Sequence, residues 1–370
     1  MKLMSILKMC IACASVFLLA SCGFKDIDKR VFVQAVGVDY TDNEEKPYKV
    51  TLKLAVPSGS LKESGTKYAY LTREDSSIAA AIRFLKTNVD KELDFSHAKL
   101  IVFDEQLFNR DIRDALDFFF RRRDIQMISW VAVGRPSAEK VLQVEPESEM
   151  AGSHTLMNFF SGNGVESAYI VSTFLFEARR EVAETGLDPI IPIIRASEDG
   201  KKLMVNRSFI FSWDNRSAEL HSGQTKMYNI MANRMERLEI EVDNQDKEKN
   251  FTVSIDTIKT KFKLLADPGK APVLKMDIKA AGIMEESSFE MDPIDLDHYS
   301  KLASDHAKKD TEKLLKFLQK ENMDPLGFGL RYKATRLQNG HRIDEWRAMY
   351  PDLKFDVSVD VNIKSTGTVE

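Results

Sequence analysis

The end of the chain carries its clearest pattern. Leu353, Phe355, Val357, Val359, Val361 and Ile363 alternate without a break against Lys354, Asp356, Ser358, Asp360, Asn362 and Lys364. Successive side chains of a strand point to opposite faces, so this spells a strand with one packed and one wet face. Leu238, Ile240 and Val242 predict another strand, and Leu274, Met276 and Ile278 a third. Phe251, Val253 and Ile255 also alternate, but Ile258, Thr260, Phe262 and Leu264 continue in the opposite phase. A one-residue slip of that kind is what a β-bulge produces. Ser208 to Trp213, a turn at Asp214-Asn215 and Ser217 to Leu220 predict a hairpin, followed by helical or turn-like residues 223–234. From Asp292 to about Asn322 the pattern becomes a long, charged helix with Leu302, Leu314, Leu315, Phe317 and Leu318 on its apolar side.

The first half mixes the two periods. Phe32 to Val38, with Gln34 among them, is mostly apolar on both faces, and Tyr48, Val50, Leu52, Leu54 and Val56 alternate with Lys49, Thr51 and Lys53. These predict a strand pair whose second member has one wet face, with residues 57–75 as a polar loop. Asp75 or Ser76 is positioned to cap a helix whose stripe is Ile78, Ala81, Ile82, Leu85 and Val89. Ala98 to Phe103 and Met127 to Val133 are almost wholly apolar and suit buried strands. A helix near 105–122 lies between them, and Pro136-Ser137 opens a short helix to about Val144. Residues 165–185 predict a further helix, stopped by Gly186-Leu187-Asp188-Pro189, and Ile190 to Ile194 reads as extended.

The order β-β-α-β-α-β-α predicts a mixed α/β N-terminal part. The second half predicts an antiparallel sheet backed by a long helix, so the fold class is α+β or mixed α/β with more than one domain. The charged stretch 195–202 separates residues 22–200 from residues 201–370.

The first 21 residues stand apart. Lys2 and Lys8 precede an apolar run, Met9 to Leu19, too short to span a bilayer. Leu19-Ala20-Ser21-Cys22 closes it. An aliphatic residue, two small ones and a cysteine form a lipobox, which predicts signal cleavage between Ser21 and Cys22 and a diacylglyceryl thioether on Cys22. Two or more acyl chains anchor a protein firmly where one does not.

Removing the signal changes the rest of the picture. The formal charge of −4 becomes −6 once Lys2 and Lys8 leave, which argues against nucleic acid as a partner. Cys10 and Cys13 form a C-x-x-C, but both lie inside the signal, and the only other cysteine is Cys22. Disulfides, thiolate catalysis and cysteine metal sites are therefore not expected in the mature chain. The six histidines (His97, His154, His221, His298, His306 and His341) do not pair at a metal-ligand spacing. Asp292, Asp295, Asp297 and His298 lack the glycine and final glutamate of a calcium loop. Gly162-Asn163-Gly164 is not followed by Gly-Lys-Ser/Thr, and no G-x-S-x-G elbow occurs. No catalytic residue, cofactor or metal ligand is predicted. Phe118-Phe119-Phe120 before Arg121-Arg122-Arg123 is the one unusual local composition. It reads either as two buried rings and a basic last helical turn, or as a contact for a partner or a membrane headgroup.

Several landmarks, in order, resemble the Ger(x)C family, the lipoprotein C subunits of nutrient germinant receptors. After the lipobox comes Phe24-Lys25-Asp26-Ile27-Asp28-Lys29-Arg30, where the family commonly has an aromatic and a charged stretch. Ala35-Val36-Gly37-Val38-Asp39 looks like its A-x-G-x-D strand end. Phe95-Ser96-His97-Ala98-Lys99-Leu100-Ile101-Val102-Phe103 is similar to its H-x-K-x-I-V segment, with Asp104 where glycine is usual. Asp324-Pro325-Leu326-Gly327-Phe328-Gly329 resembles its turn after the long helix, and Trp346, Tyr350-Pro351 and Gly367 complete the ending. The resemblance implies association with integral membrane A-type and permease-like B-type subunits at the spore inner membrane. It implies nutrient-triggered germination as the process and no known catalytic activity. A ligand-binding lipoprotein of a transport system is the rival reading. It predicts two similar lobes, whereas the two halves here have unlike patterns. A surface hydrolase would need a catalytic constellation that the spacing does not nominate.

Overall fold

The computed structural model describes Met4 and residues 27–56, 67–110, 112–145, 160, 167–212, 214–235, 237–243, 250–266, 271–289, 293–336 and 342–366. Among them, nine strands form the first sheet: β1 (Arg30–Tyr40), β2 (Tyr48–Val56), β3 (Lys67–Asp75), β4 (Glu92–Asp94), β5 (Leu100–Asp104), β6 (Trp130–Arg135), β7 (Ile190–Ala196), β8 (Leu203–Phe211) and β9 (Ser217–Leu220). Their spatial order is β3-β2-β1-β5-β6-β7-β8-β9, with β4 also on β1. The centre, β1-β5-β6-β7, is parallel and both flanks are antiparallel. A parallel centre has to be covered on both faces. The helices that cover it are α1 (Ile78–Leu85), α2 (Ile112–Arg121), α3 (Ala138–Gln143) and α4 (Leu175–Ala183). The buried faces of α1, α2 and α4 share one core, and α3 packs into a second.

The second sheet is β10 (Leu238–Val242), β11 (Phe251–Leu265), β12 (Val273–Ser287) and β13 (Lys354–Ile363), in that order. The expected phase slip is real: register shifts between Ile255 and Thr257 as β11 pairs with β12. The sheet backed by a long helix is present, and β13 adds a feature of its own by pairing parallel to β12. Joining the sheets is α5 (Ser222–Met231), and the long helix is α6 (Leu296–Lys320). Then come α7 (Phe328–Ala334) and α8 (Arg342–Met349). Tyr299, Ala303, Ala307, Thr311, Leu314, Leu315 and Leu318 line the buried stripe of α6. The helix also closes the open edge of β13. Ser304 Oγ accepts from Val361 N at 2.9 Å, and Ser300 Oγ accepts from Ile363 N at 3.0 Å. An uncovered edge would offer those donors to another chain.

Four local expectations fail, each for a physical reason. Residues 67–75 are not loop but strand β3. Its two faces are both mixed, so no clean alternation marks it. Ala69 and Leu71 pack toward the α1 core, and Tyr68 faces Lys53 with Nζ 4.2 Å from the ring. For the same reason β2 has no wet face: Thr51 and Lys53 are buried. Lys49 Nζ donates to Glu139 of α3 at 2.6 Å, so the polar row of β2 lies under a helix and a row of tyrosines. The cap of α1 is Ser77, one residue beyond the expected pair, and its Oγ accepts from Ala80 N at 3.2 Å. Finally, the predicted 165–185 helix starts only at Leu175. There the Phe174 N–H donates to Glu177 at 2.9 Å.

Helix α3 sits close against the sheet because Gly134 has no side chain. A Cβ there would lie 2.6 Å from Val102 Cγ1 and 3.0 Å from Ala138 Cα. Gly134→Ala is expected to cost about 1–3 kcal/mol through overpacking. A urea titration of the purified chain checks this, with an unchanged midpoint counting against the close approach.

Candidate functional site

The predicted lipidation and cleavage residues, Cys22 and Ser21, lie outside the described residues, as does the rest of the signal apart from Met4, Cys10 and Cys13 included. The same holds for Phe24 to Asp26, Gly162-Asn163-Gly164, His154, His341, Asp292 and Gly367. The remaining landmarks are placed, and they turn out to be joints.

In the first, Asp39 at the end of β1 is 4 % exposed. Its carboxylate accepts from Ala138 N at 2.5 Å and Glu139 N at 2.9 Å, at the N-terminus of α3. Two orphan amides of a helix start are thus satisfied from a strand 99 residues earlier. Burial pushes this carboxyl up to about 6, against the pull of those two amides. Asp104 stands beside it, accepting from Gln106 N at 3.2 Å and Tyr40 N at 3.4 Å. The A-x-G-x-D segment therefore docks a helix on the sheet.

In the second, the 95–103 segment links β1 to β6. Lys99 N donates to Gln34 O at 2.9 Å, while Trp130 N donates to Lys99 O at 2.8 Å. Ser129 Oγ donates to Ala98 O at 2.5 Å. Phe95 is fully buried beneath the Arg122 guanidinium, 4.3 Å from its ring, and His97 meets Phe32 edge-on at 4.6 Å. Arg122 thereby takes one of the three consecutive arginines into packing. Of the three phenylalanines, Phe119 is buried, and Phe118 and Phe120 are half-buried.

The third joint is the most heavily built, and it connects the two sheets. Asp324, 5 % exposed, follows α6. Its carboxylate accepts from Phe328 N at 3.0 Å and Gly329 N at 2.7 Å, at the start of α7. The loop before β7 meets it from the other half. Asp188 N donates to Asp324 O at 3.0 Å, and Asp324 N donates to Asp188 Oδ2 at 2.6 Å. Leu330 N donates to Gly186 O at 2.7 Å. Tyr350 Oη donates to Met323 O at 2.8 Å, and Arg216 of the β8–β9 turn donates to Asn322 O. Gly329 is required by contact: a Cβ would lie 2.5 Å from the Trp346 ring. Trp346 in turn packs on Tyr332 and Tyr350, with centroids 5.8 and 5.3 Å apart.

Electrostatically this joint is a pair of carboxylates in a poor solvent. Burial pushes the Asp324 carboxyl up to about 7, opposed by the Gly329 and Phe328 amides and reinforced by Asp188. Asp188 is also raised, mainly by burial, while Arg216 pulls it down. Sequence reasoning marked Asp324 through its motif and took Gly186-Leu187-Asp188 only as a helix stop. No local signal could have paired residues 136 positions apart.

The described histidines have packing or capping roles. His221 caps α5, with Nδ1 accepting from Gln224 N at 3.4 Å. His306 lies 3.3 Å from Asp310, and that hydrogen bond first, with Lys313, holds the Asp310 carboxyl down at about 2. His298 meets the Tyr299 ring with centroids 5.8 Å apart. Among the described residues, no group of three or more His, Cys, Asp or Glu is placed to hold a metal ion. None of their helices is long and apolar enough to cross a membrane.

Comparison with known proteins gives these joints a context. A family model described as the spore germination protein N-terminal domain matches residues 23–196. A second, described as spore germination B3/GerAC-like, C-terminal, matches residues 206–367. The chain is 21 % identical over 350 residues to the putative spore germination protein YfkR of Bacillus subtilis (strain 168), covering 89 % of this chain and 88 % of that one. It is 21 % identical over 364 residues to the spore germination protein GerQC of Bacillus cereus, covering 96 % and 97 %. The crystal structure of the GerBC protein shares the fold, with a TM-score of 0.59 at 17 % identity over 90 % of this chain and 98 % of that one.

Proposed function

The chain belongs to the GerAC-like spore germination proteins, the C-subunit family of germinant receptors, and on that premise we propose that it is a lipid-anchored, non-enzymatic receptor subunit acting through contacts with integral membrane subunits. The observation that carries the proposal is the pair of family matches, which together run from residue 23 to residue 367. The first begins at residue 23, one residue after the Cys22 that would be the first residue of a mature lipoprotein. The joints support it: the named landmarks dock helices and couple the two sheets, and none presents a nucleophile with a base. In this reading the signal of residues 1–21 is cleaved between Ser21 and Cys22. Diacylglyceryl and any further acyl chain, palmitate among them, then hold Cys22 at the spore inner membrane. Tethering raises the concentration of the body beside its A-type and permease-like B-type partners without any new contact.

Cys22→Ala tests the anchor. The variant is expected to leave the membrane pellet for the soluble fraction of disrupted spores, since in this reading the acyl chains on Cys22 are what holds the body at the membrane. Nutrient-triggered germination should fall to that of spores lacking the chain. Retention in the pellet together with normal germination on every nutrient would overturn the reading.

A further inference from the structure

The two sides of the second sheet differ in chemistry. On one, Leu274, Met276 and Ile278 of β12 share a core with α5 and α6. On the other, β11 and β12 present five exposed lysines: Lys259, Lys261, Lys263, Lys275 and Lys279. Residues directly opposite in a ladder share a face. The register sets Lys259 against Lys279 and Lys263 against Lys275, with Asp277 opposite Lys261. Alternate residues of a strand lie about 6.8 Å apart and paired strands about 4.8 Å, so the five stems rise from a patch of about 14 by 5 Å. Like charges placed directly opposite destabilise a strand pair. Lys275 is the one of the five with an ion pair among the described residues, to Asp356 of β13 at 3.4 Å. Asp356 and Asp360 border the patch on that side. Two opposed lysine pairs on an exposed face, in a chain whose mature net charge is −6, call for an anion from elsewhere.

Residue type narrows what that anion belongs to. All five cations are lysines, hydrated point charges on flexible stems, whereas arginine is the fixed fork of bidentate recognition. Contacts between proteins are enriched in aromatic residues and arginine and depleted of lysine. Here the same face carries Thr257, Ala281, Ser358 and Asn362 between and beside the charges, with no aromatic anchor among them. Such a face suits a fluid anionic surface more than a shaped protein partner. The chain also brings it near lipid. β1, β5, β6 and β7 are parallel, so β1 starts at the edge of the first sheet where Asp188, just before β7, meets Asp324 of the second half. Eight residues lead from Cys22 to Arg30, a reach of at most about 29 Å. An anchor on Cys22 therefore holds the bilayer on the side of the body to which the second sheet is joined.

We propose that the lysine face of β11 and β12 rests on an anionic phospholipid surface and so sets which way the body is turned at the membrane. This rests on the lipid-anchor reading for the nearness of the bilayer, and goes beyond it in naming the face and the charge of the lipid.

The test is vesicle flotation of the chain from residue 22 onward, made without the signal and carrying Cys22→Ser so that no acyl chain is present. It retains every described element from Ile27 on. The vesicles are phosphatidylcholine alone, or phosphatidylcholine mixed with phosphatidylglycerol. At low salt, partition onto the mixed vesicles is expected to exceed that onto phosphatidylcholine at least about tenfold, and to fall as added salt shortens the Debye length. Lys263→Glu with Lys279→Glu sets carboxylates opposite Lys275 and Lys259 in place of like charges. That variant should keep its melting temperature or raise it, while its partition drops to the phosphatidylcholine level. Lys86→Glu with Lys140→Glu makes the same change in net charge at exposed positions of the first half and should leave partition unchanged. Equal partition onto both vesicles, undiminished partition of the Lys263 and Lys279 variant, or an equal loss in the Lys86 and Lys140 variant would each overturn the proposal. Binding to polyglutamate without binding to vesicles would overturn it too, and assign the face to an acidic protein. Should the double reversal fail to fold, Lys259→Gln with Lys279→Gln takes its place, since it removes one opposed pair and adds no charge. With no acyl chain present, the outcome is separate from that of the Cys22→Ala experiment on the anchor.

Discussion

Asp324→Ala is expected to destabilise the chain by about 2–5 kcal/mol, because it leaves the buried Phe328 and Gly329 amides without an acceptor. The loss is not confined to one turn. Asp324 places the start of α7, α7 carries Gly329 against Trp346, and the backbone on either side pairs with Gly186 and Asp188 of the other half. Asp324→Asn keeps one acceptor oxygen and should lose roughly half as much. Urea unfolding of the three proteins, followed by tryptophan fluorescence, to which Trp346 contributes with Trp130 and Trp213, measures the series. An alanine variant as stable as the parent would mean that the joint contributes nothing to cohesion.

Acidification from pH 8 to pH 5 is expected to stabilise the chain. Burial first, against the pull of nearby amides, raises Asp324 to about 7 and Asp39 to about 6. Burial also raises Glu181 to about 7, with the Arg234 charge opposing it. Each of these groups binds its proton in the folded chain at a pH where the unfolded chain has released it. The stability they contribute is full below about pH 4 and is lost as pH rises through 6 and 7. Carboxyls held low act in the opposite direction. Asp310 is at about 2 through His306 and Lys313. Asp214 is also at about 2, through hydrogen bonds from Arg216 and Ser212 that outweigh its partial burial. Their contribution is present above about pH 4 and fails as pH falls toward 2. The two sets leave a maximum near pH 4–5. One pKa unit is worth about 1.4 kcal/mol, so even a fraction of these shifts amounts to a few kcal/mol between pH 5 and pH 8. Melting curves across that range should show the midpoint falling as pH rises. A midpoint that rises instead would mean that the buried carboxylates are ionised and well solvated.

Much of this was readable along the chain, and the unread parts share a cause. The alternation of 353–363 became β13, the phase slip after Ile255 became a register shift, and the apolar stretches around 100 and 131 became central parallel strands. The first two patterns are set by one packed face, and the third by cover on both faces. Strand β3 was missed because both its faces are shared between polar and apolar contacts. Its tyrosines also conceal the burial of Lys53 in β2. The parallel entry of β13 depends on where α6, α7 and α8 return the chain, which no local period records. Asp39, Gly329 and Asp324 were visible as motif letters. Their partners were not: the amides of α3 lie 99 residues away from Asp39 in sequence, and Asp188 lies 136 away from Asp324. The lysines of β11 and β12 were visible too, but only the strand register sets Lys259 against Lys279 and Lys263 against Lys275.

The receptor reading comes down to whether this chain holds membrane subunits. Affinity capture of the full chain from detergent-solubilised spore membranes, followed by mass spectrometry, measures it directly. The account predicts that an A-type integral membrane subunit and a permease-like B-type subunit are recovered together with it, and that the chain's own first residue is an acylated Cys22. Recovery of the chain alone, from membranes in which both subunits are detected, would contradict the account.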